Sequence, residues 1–398
     1  MDDALIDDDD LSLSRKSRLP GAGFFYPDSL DEEYADRRAR EAIESAEAVV
    51  VADGDADGLG CVALLREVYD AALDVAPFEA SLAARTDPSL TGDEAADETD
   101  REDSPVGLVT ASPHSLDAAL ERVAAYADPG VDVYVCDLCP DDESSVEVID
   151  EVVDRAEAVR WFDHHQWDDG VAAAVREAGV DLLVGESDAE CTADVALRSL
   201  DHDFPDHLVE LAAVTRDHDL WIKEDPRSDD LSDYSHWASA EEYVTVVGQY
   251  GPALPDPVVG YLENRRVEKR QLIEAAVERA ELESVGPWTV GVTYGRCSQN
   301  EVAEALRERG ADAAVIVKPA GSASIRGSEG FERAHEVAGL VNGGGHPRAA
   351  GCKPDIYDDM LDYAHHWTTE GSATKQVILA AFERVAEKAE ADADGTDE

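Results

Sequence analysis

Four groups of acidic residues each follow an apolar segment of this 398-residue sequence. They are Asp53-Gly-Asp55-Ala-Asp57-Gly58, the single Asp137, Asp163-His164-His165, and Asp217-His-Asp219. Carboxylates with an occasional imidazole are the ligands that manganese and magnesium prefer in proteins. There are more of them than one ion needs, and a pair of ions supports displacement at phosphorus. The residues therefore predict a site for two divalent metal ions.

The first acidic group has two other interpretations. The pattern D-x-D-x-D-G also opens an EF-hand calcium loop, but the carboxylate required at position twelve is replaced by Leu64, and a strand precedes the loop instead of a helix. The second alternative is an ordinary strand-to-helix turn in which Asp53 is a turn or cap residue. Three carboxylates within five residues, with Gly54 and Gly58 to relax the backbone, favour a functional turn.

The remaining acidic groups differ in how specific they are. Asp163, His164 and His165 offer an orienting carboxylate, a nitrogen ligand and a substrate contact within one turn. Asp137 alone is also typical of a turn. In the last group Asp217 is the predicted ligand, and Asp219 is the alternative, since Asp219 could instead solvate the turn that follows.

The elements that must position these residues alternate between short apolar strands and amphipathic helices. The predicted strands are 48–52, 131–136, 159–162 and 182–184, and the predicted helices are 60–73, 115–127, 143–156 and 170–178. This alternation predicts an α/β fold with a mostly parallel sheet covered on both faces. The carboxyl ends of such strands meet in one crevice, where these folds bind ligands.

The chain is predicted to contain two α/β domains. Residues 1–47 are an acidic extension and a helix, 48–256 the metal-binding domain, 257–284 a connecting helix, 285–370 a smaller α/β domain, and 371–398 a C-terminal helix with an acidic tail. The segment 87–105 carries eight acidic residues and almost nothing apolar, so it is predicted to be a solvated loop.

The composition is strongly acidic, with 33 basic against 90 acidic residues and a formal net charge of −57. Such a charge opposes binding to nucleic acid, except in about molar salt, where a Debye length of about 3 Å screens scattered surface carboxylates. We interpret the charge as an adaptation to a salt-rich, halophilic cytoplasm.

The acidic N-terminus does not resemble a secretory signal, and no window is apolar enough for a membrane span. Cytoplasmic localisation is the expectation, and the pair Cys136 and Cys139 is interpreted as packing.

Taken together, the motifs resemble the DHH phosphoesterase superfamily with its accessory DHHA1 domain. The residues that carry the resemblance are the four acidic groups and, downstream, Gly343-Gly344-Gly345-His346 with Ala349-Ala350-Gly351. They occur in the family's order and cover roughly residues 48–355. Members of the superfamily include RecJ-type single-strand exonucleases, oligoribonucleases and cyclic-dinucleotide phosphodiesterases.

The resemblance implies a role for each residue. One metal would be held by Asp53, Asp55 and Asp137, and the other by Asp57, Asp137, His164 and Asp217. Asp163 would orient His164, and His165 would face the phosphate. Oligoribonuclease-like members carry a histidine where this chain has Val51, so Asp53 as ligand is the RecJ-like arrangement, whereas the Asp217-to-Trp221 motif is closer to oligonucleotide and cyclic-nucleotide phosphodiesterases.

A second set of candidate residues lies in the smaller domain. Three successive glycines, 343–345, would let a phosphate approach backbone N–H groups, although a helix terminus alone would also explain them. By resemblance, Arg326 and His346 would hold a phosphate or terminal nucleotide across a cleft between the domains, with Arg348 as a weaker candidate.

These observations predict a metal-dependent phosphodiesterase, manganese-preferring, that degrades single-stranded or short oligonucleotides to nucleoside monophosphates. A cyclic-dinucleotide or small-nucleotide phosphodiesterase is the alternative enzyme. A non-catalytic scaffold that binds replication or repair proteins is the alternative of another class.

Overall fold

A computed structural model of the protein describes residues 28–86, 104–140, 146–357 and 360–395. The acidic leader, residues 1–27, and residues 87–103 of the acidic loop lie outside the described residues. The described chain divides into two compact units between Asn264 and Arg265. No helix among the described residues combines the length and apolar composition that crossing a membrane requires.

The N-terminal unit contains one five-stranded sheet with helices on both of its faces. Its strands are β1 (Ala48–Asp53), β2 (Val106–Ala111), β3 (Asp132–Cys136), β4 (Ala158–Asp163) and β5 (Asp181–Val184). Its helices begin with α1 (Asp28–Ile43), α2 (Ala56–Val68), α3 (Ala76–Thr86), α4 (Leu116–Tyr126), α5 (Val146–Val153) and α6 (Asp169–Glu177). They continue with α7 (Thr192–Ser199), α8 (Asp206–Asp219), α9 (Arg227–Trp237) and α10 (Ala240–Tyr250).

All neighbouring strands in this sheet are parallel, in the order β2-β1-β3-β4-β5. Alternate residues of β1 enter different cores: Val50 packs with α2, α7, α8 and α10, whereas Val49 and Val51 pack with α1, α4 and α5. A strand that is buried on both faces reads as a continuous apolar run, which is why residues 48–52 are recognisable as a strand. The predicted α/β class and parallel sheet are confirmed.

The second unit is built on a six-stranded mixed sheet. Helix α11 (Asp256–Glu278) crosses the boundary between the units and is followed by β6 (Glu281–Val285), β7 (Trp288–Tyr294), α12 (Gln299–Glu308), β8 (Ala313–Val317) and β9 (Ala323–Gly327). The remaining elements are α13 (Ala334–Gly339), β10 (Gly343–Gly345), β11 (Ala349–Cys352), α14 (Met360–Thr368) and α15 (Ser372–Gly395). The strand order is β10-β11-β9-β8-β7-β6, and only β7 and β8 are parallel neighbours.

One local prediction is corrected by the structure, and one strand of the first sheet was not predicted. The connecting helix predicted over 257–284 ends at Glu278, because residues 281–285 pair as β6 with β7 through a turn at Gly286, whose φ is +55°. The polar sequence of β6 resembles a helix face, but pairing with its neighbour overrides that local preference. Strand β2 has no counterpart among the predicted strands, although it pairs with β1 along six residues.

Candidate metal centre

The acidic residues gather where the strand order of the first sheet reverses. Asp53 is the last residue of β1, and Asp137 directly follows β3, its neighbour in the sheet. The connections from β1 and β3 leave the sheet in opposite directions, which opens a crevice at their carboxyl ends. This topological switch point is the usual ligand site of open parallel sheets.

The loop after β1 is a tight turn into helix α2. Asp55 caps the helix: its Oδ1 accepts the backbone N–H groups of Asp57 at 2.9 Å and Gly58 at 3.1 Å. A Cβ atom at position 58 would lie 2.5 Å from the backbone oxygen of Asp53, so only glycine fits there. The helix therefore starts immediately behind the strand, and Asp57 in its first turn is 1% exposed.

Both oxygens of Asp57 accept backbone N–H groups from the start of another helix. Oδ2 accepts Thr192 N–H at 2.7 Å, and Oδ1 accepts Ala193 N–H at 2.8 Å, both in the first turn of α7. Such N–H groups have no partner within their own helix, and the helix dipole adds partial positive charge there. Asp57 is thus held by main-chain groups and keeps lone pairs for a cation.

Asp137 occupies a left-handed backbone conformation with a φ of +62°. Its N–H donates to the carbonyl of Phe162 at 3.0 Å, which continues the pairing of β3 with β4. Its Oδ1 accepts the hydroxyl of Thr192 at 2.8 Å and lies 3.7 Å from His164 Nε2. A positive φ is uncommon in non-glycine residues, and aspartate is among those that adopt it most readily.

Asp163 organises the turn after β4. Its Oδ1 accepts the N–H of His164 at 2.8 Å and lies 2.7 Å from His165 Nδ1, while Oδ2 accepts the indole N–H of Trp167 at 2.7 Å. The side chain is fully buried. Asp163 was predicted to orient His164, but its side chain contacts the ring of His165 and only the backbone of His164.

His164 points toward the carboxylate that ends helix α8. Its Nε2 lies 3.3 Å from Oδ2 of Asp219, and ligand atoms of Asp57, His164 and Asp219 all lie within 4.8 Å of one another. A second group that meets the same criterion consists of Asp137, His164 and His165. His164 belongs to both groups and is their common member.

Asp217, the sequence-predicted ligand, does not join the cluster. Its Oδ1 accepts the N–H of Glu224 at 2.9 Å, and its carbonyl accepts the N–H groups of Ile222 and Lys223. Asp217 therefore fixes the turn after α8, in which Trp221 and Lys223 both have a positive φ. Residues two apart on a helix point about 200° away from each other, so Asp217 and Asp219 cannot both face His164.

The clustered carboxylates repel one another in a site with little water. Burial and the charge of Asp55 raise the pKa of Asp57 to about 7 and that of Asp53 to about 6. Burial and the charge of Asp57 raise the pKa of Asp219 to about 8, and the same two causes raise the pKa of Asp137 well above its usual range. A bound cation would remove this repulsion, because opposite charge favours the ionised form.

The two histidines are shifted in opposite directions. Burial and the neighbouring His165 lower the pKa of His164, so its imidazole is neutral and suited to bind a metal. Burial also opposes the charge on His165, but the hydrogen bond and charge of Asp163 outweigh it and raise its pKa to about 9. The protonated form of His165 is therefore favoured by its contact with Asp163.

The donor set fits divalent cations. Oδ2 of Asp219 is buried and accepts no hydrogen bond from the described residues, which is costly unless a ligand satisfies it. The clustered groups are carboxylates and imidazoles, and no thiolate is among them. Such oxygen-rich sets suit manganese or magnesium.

One residue of the site, Thr192, was not identified from sequence as functional, and another, Asp219, was only the alternative to Asp217. Thr192 had no recognisable motif, since a threonine at a helix start is common. The spacing along α8 could have favoured Asp219. It follows Leu208, Ala212 and Thr215 at intervals of three or four residues, and these three residues are buried.

The three glycines of the second unit form strand β10, at one edge of the sheet, rather than an open loop. A Cβ at Gly343 would lie 2.1 Å from the oxygen of Gly351, and one at Gly345 would lie 2.7 Å from the oxygen of Ala349. Close approach of β11 therefore explains these two glycines. Gly344 has open space on its Cβ side, so it is the member whose glycine identity packing does not explain.

The other predicted substrate residues lie around the same hairpin. Arg326 on β9 pairs with Ala349, and its Nε donates to Oδ1 of Asn300 at 2.8 Å. His346 is exposed and begins the turn between β10 and β11, where its N–H donates to the carbonyl of Ala349. Arg348 is exposed in the same turn. The hairpin thus brings Arg326, His346 and Arg348 to one region of the second unit.

Comparison with solved structures identifies the fold. The chain is similar to a structure of the exonuclease RecJ bound to manganese, with a TM-score of 0.50, 15% identity, and coverage of 89% of this chain and 94% of that chain. The chain has the RecJ fold. A RecJ structure in complex with Mn²⁺ from Thermus thermophilus also has a TM-score of 0.50, with 16% identity, and the match covers 89% of this chain and 55% of the other. No protein-family model matches the chain, and no curated protein sequence does.

Proposed function

We propose that this protein is a metal-dependent phosphodiesterase that hydrolyses single-stranded or short oligonucleotides to nucleoside monophosphates. The proposal rests on the convergence of Asp57, Asp137 and Asp219 around a neutral His164 at the switch point of the sheet. The fold shared with RecJ, an exonuclease that binds manganese, supports the same chemistry.

The proposed metal centre takes two divalent ions, with manganese preferred. Asp57, His164 and Asp219 would hold one ion, and Asp53 and Asp55 would hold the other, with Asp137 shared between them. When bound, such ions activate water for in-line attack on phosphorus and stabilise the leaving oxygen. Asp219 replaces Asp217 in this set because only Asp219 faces His164.

The chain's own groups would bind and orient the phosphodiester. Nδ1 of His165 is engaged by Asp163 at 2.7 Å, so the other ring nitrogen is the one that can donate to a phosphate oxygen. The carboxylate of Asp163 keeps this imidazole charged and fixes its plane. Arg326 and His346 of the second unit are proposed to bind a further phosphate or the terminal nucleotide.

Substrate length is the property that separates the proposed activity from cleavage of a dinucleotide alone. We would incubate the full chain with labelled single strands of two and about twenty nucleotides in molar KCl, with Mn²⁺ or with EDTA. Release of nucleoside monophosphates from both strands, abolished by EDTA, is expected. Turnover of the dinucleotide only would identify a small-nucleotide phosphodiesterase.

A matched pair of variants tests whether hydrolysis uses this centre. Asp137→Asn should abolish turnover, because it removes a carboxylate from the centre of the cluster. Asp128→Asn is the control, since Asp128 is exposed on the turn before β3. Hydrolysis undiminished in Asp137→Asn would exclude this centre as the catalytic site, and a protein that binds no Mn²⁺ would support a scaffold.

A further inference from the structure

Thr192 sits at the point where helix α7 meets the two central carboxylates. It is the first residue of α7 and is fully buried. Its backbone N–H donates to Asp57 at 2.7 Å, and its hydroxyl donates to Asp137 at 2.8 Å. One residue therefore contacts a carboxylate from the loop after β1 and another from the loop after β3.

The hydroxyl does not serve its own helix. The cap position of α7 is Cys191, so Thr192, the residue after it, has no capping hydrogen bond to make through its side chain. Here the hydroxyl donates to Asp137, which lies 55 positions earlier in the chain. A role limited to helix initiation leaves this contact unexplained.

The contacted oxygen is the one that faces the histidines. Oδ1 of Asp137 accepts the Thr192 hydroxyl and also lies 3.7 Å from His164 Nε2 and 3.8 Å from His165 Nδ1. A hydroxyl donates one hydrogen bond, so this contact leaves lone pairs of the carboxylate available while it fixes the plane of the group. A change at Thr192 would therefore alter the orientation of the Asp137 oxygen that faces the rings of His164 and His165.

The two carboxylates depend on α7 in different ways. Asp57 is held by the backbone N–H groups of Thr192 and Ala193, which any residue except proline supplies. Asp137 is held by the side-chain hydroxyl, which only threonine or serine supplies at this distance. Substitution at position 192 can thus release Asp137 while Asp57 keeps its partners.

We propose that Thr192 is a positioning residue of the metal centre, whose hydroxyl holds Asp137 in the orientation that binds divalent cations. The inference rests on the proposed function, because it assumes that the clustered carboxylates bind metal. Residues that orient metal ligands change metal affinity by about 10- to 100-fold when they are removed. Thr192 is expected to fall in this range.

The test compares Thr192→Val with Thr192→Ser. Valine keeps the branched shape and loses the hydroxyl, whereas serine keeps the hydroxyl and loses the methyl group. In titration calorimetry with MnCl₂ in molar KCl, we expect the dissociation constant of Thr192→Val to rise about 10- to 100-fold and that of Thr192→Ser to stay within about threefold of the wild type. Thr192→Ala is the replacement if the valine variant does not fold.

A control variant separates positioning from general loss of a buried hydroxyl. Thr293 in the second unit is also fully buried, and its hydroxyl donates to the carbonyl of Ala276. Thr293→Val should lower the melting temperature in EDTA without changing Mn²⁺ affinity. Thr192→Val should change the affinity measured on folded protein, which a purely structural role would leave unaltered.

Each outcome has a distinct meaning. A wild-type protein that binds no Mn²⁺ refutes the proposed metal centre itself. A wild type that binds Mn²⁺, together with a Thr192→Val variant that binds it equally well, refutes the positioning role alone. Loss of affinity in Thr192→Ser as large as in Thr192→Val also refutes it, because the hydroxyl would then not be the group that matters.

Discussion

Replacing Asp219 by asparagine should have opposite effects on the metal-free and the metal-bound protein. Burial and the charge of Asp57 raise the pKa of Asp219 to about 8 from a usual value of 3.8. At about 1.4 kcal/mol per pH unit, ionising this group in the folded protein costs up to about 6 kcal/mol. The same repulsion is shared among Asp57, Asp137 and Asp219. We therefore expect replacement of Asp219 by the neutral amide to raise the free energy of unfolding of the metal-free protein by about 2 kcal/mol above pH 8.

The sign of this effect follows from proton linkage. A carboxyl whose pKa is higher in the folded state contributes its stability at low pH and loses it as pH rises through the folded-state pKa. Metal-free Asp219→Asn should therefore melt at a higher temperature than the wild type near pH 9, and the two should converge near pH 4. With Mn²⁺ the order reverses, since a lost ligand should weaken binding by about 100-fold or more, about 2.7 kcal/mol.

Asp217→Asn is the control variant, and it should lower metal-free stability while leaving Mn²⁺ affinity nearly unchanged. Burial opposes ionisation of Asp217, but hydrogen bonding, which includes the backbone N–H of Glu224 at 2.9 Å, outweighs it and lowers the pKa. Its charge therefore contributes stability above the unfolded-state pKa, and that stability is lost as pH falls through the folded-state pKa. We expect Asp217→Asn to lose about 1 kcal/mol at neutral pH and to keep its Mn²⁺ affinity within about threefold.

The measurements are thermal unfolding in EDTA between about pH 4 and pH 9, and Mn²⁺ calorimetry, both in molar KCl. Unchanged Mn²⁺ affinity in Asp219→Asn with lost affinity in Asp217→Asn would show that the ligand assignment is reversed. Lower metal-free stability of Asp219→Asn near pH 9 would refute the repulsion argument.

Three further outcomes follow from the same contacts. Gly58→Ala should lower the free energy of unfolding in urea by about 2 kcal/mol or more, because its Cβ would lie 2.5 Å from the Asp53 oxygen, whereas Gly54→Ala, with open space, should lose less than half as much. Chelation of metal should lower the melting temperature of the wild type more at pH 9 than at pH 6, and equal shifts would contradict mutual repulsion of the carboxylates. Gly345→Ala, at a φ of +134°, should destabilise the second unit, whereas Gly344→Ala should unfold like the wild type. A raised KM of Gly344→Ala for substrate would support phosphate binding at β10.

The parallel sheet was predictable because its signal is local. Residues 48–52 and 131–136 are largely apolar, which is typical of strands buried on both faces, and an aspartate follows each of them. Strand β2 escaped prediction because it lies at the edge of the sheet, beyond the acidic segment 87–105, and its assignment depends on pairing with β1.

The members of the candidate site could be predicted, but their orientations could not. Asp57, Asp137 and His164 were identified from residue type and from their place after strands. The choice between Asp217 and Asp219 depends on the rotation of α8 about its own axis, which is set by the packing of Leu208 and Leu211 in the core.

The sequence by itself determined the α/β class of the fold, the identity of most candidate ligands and the end of the sheet at which they lie. These features depend on residue periodicity and turn chemistry within a few positions along the chain. Only the tertiary structure decided that Asp219 faces His164, that Thr192 contacts Asp137, and that two of the three glycines serve strand pairing. These features are contacts between distant segments, whose geometry is fixed by how helices and strands pack and not by any local pattern.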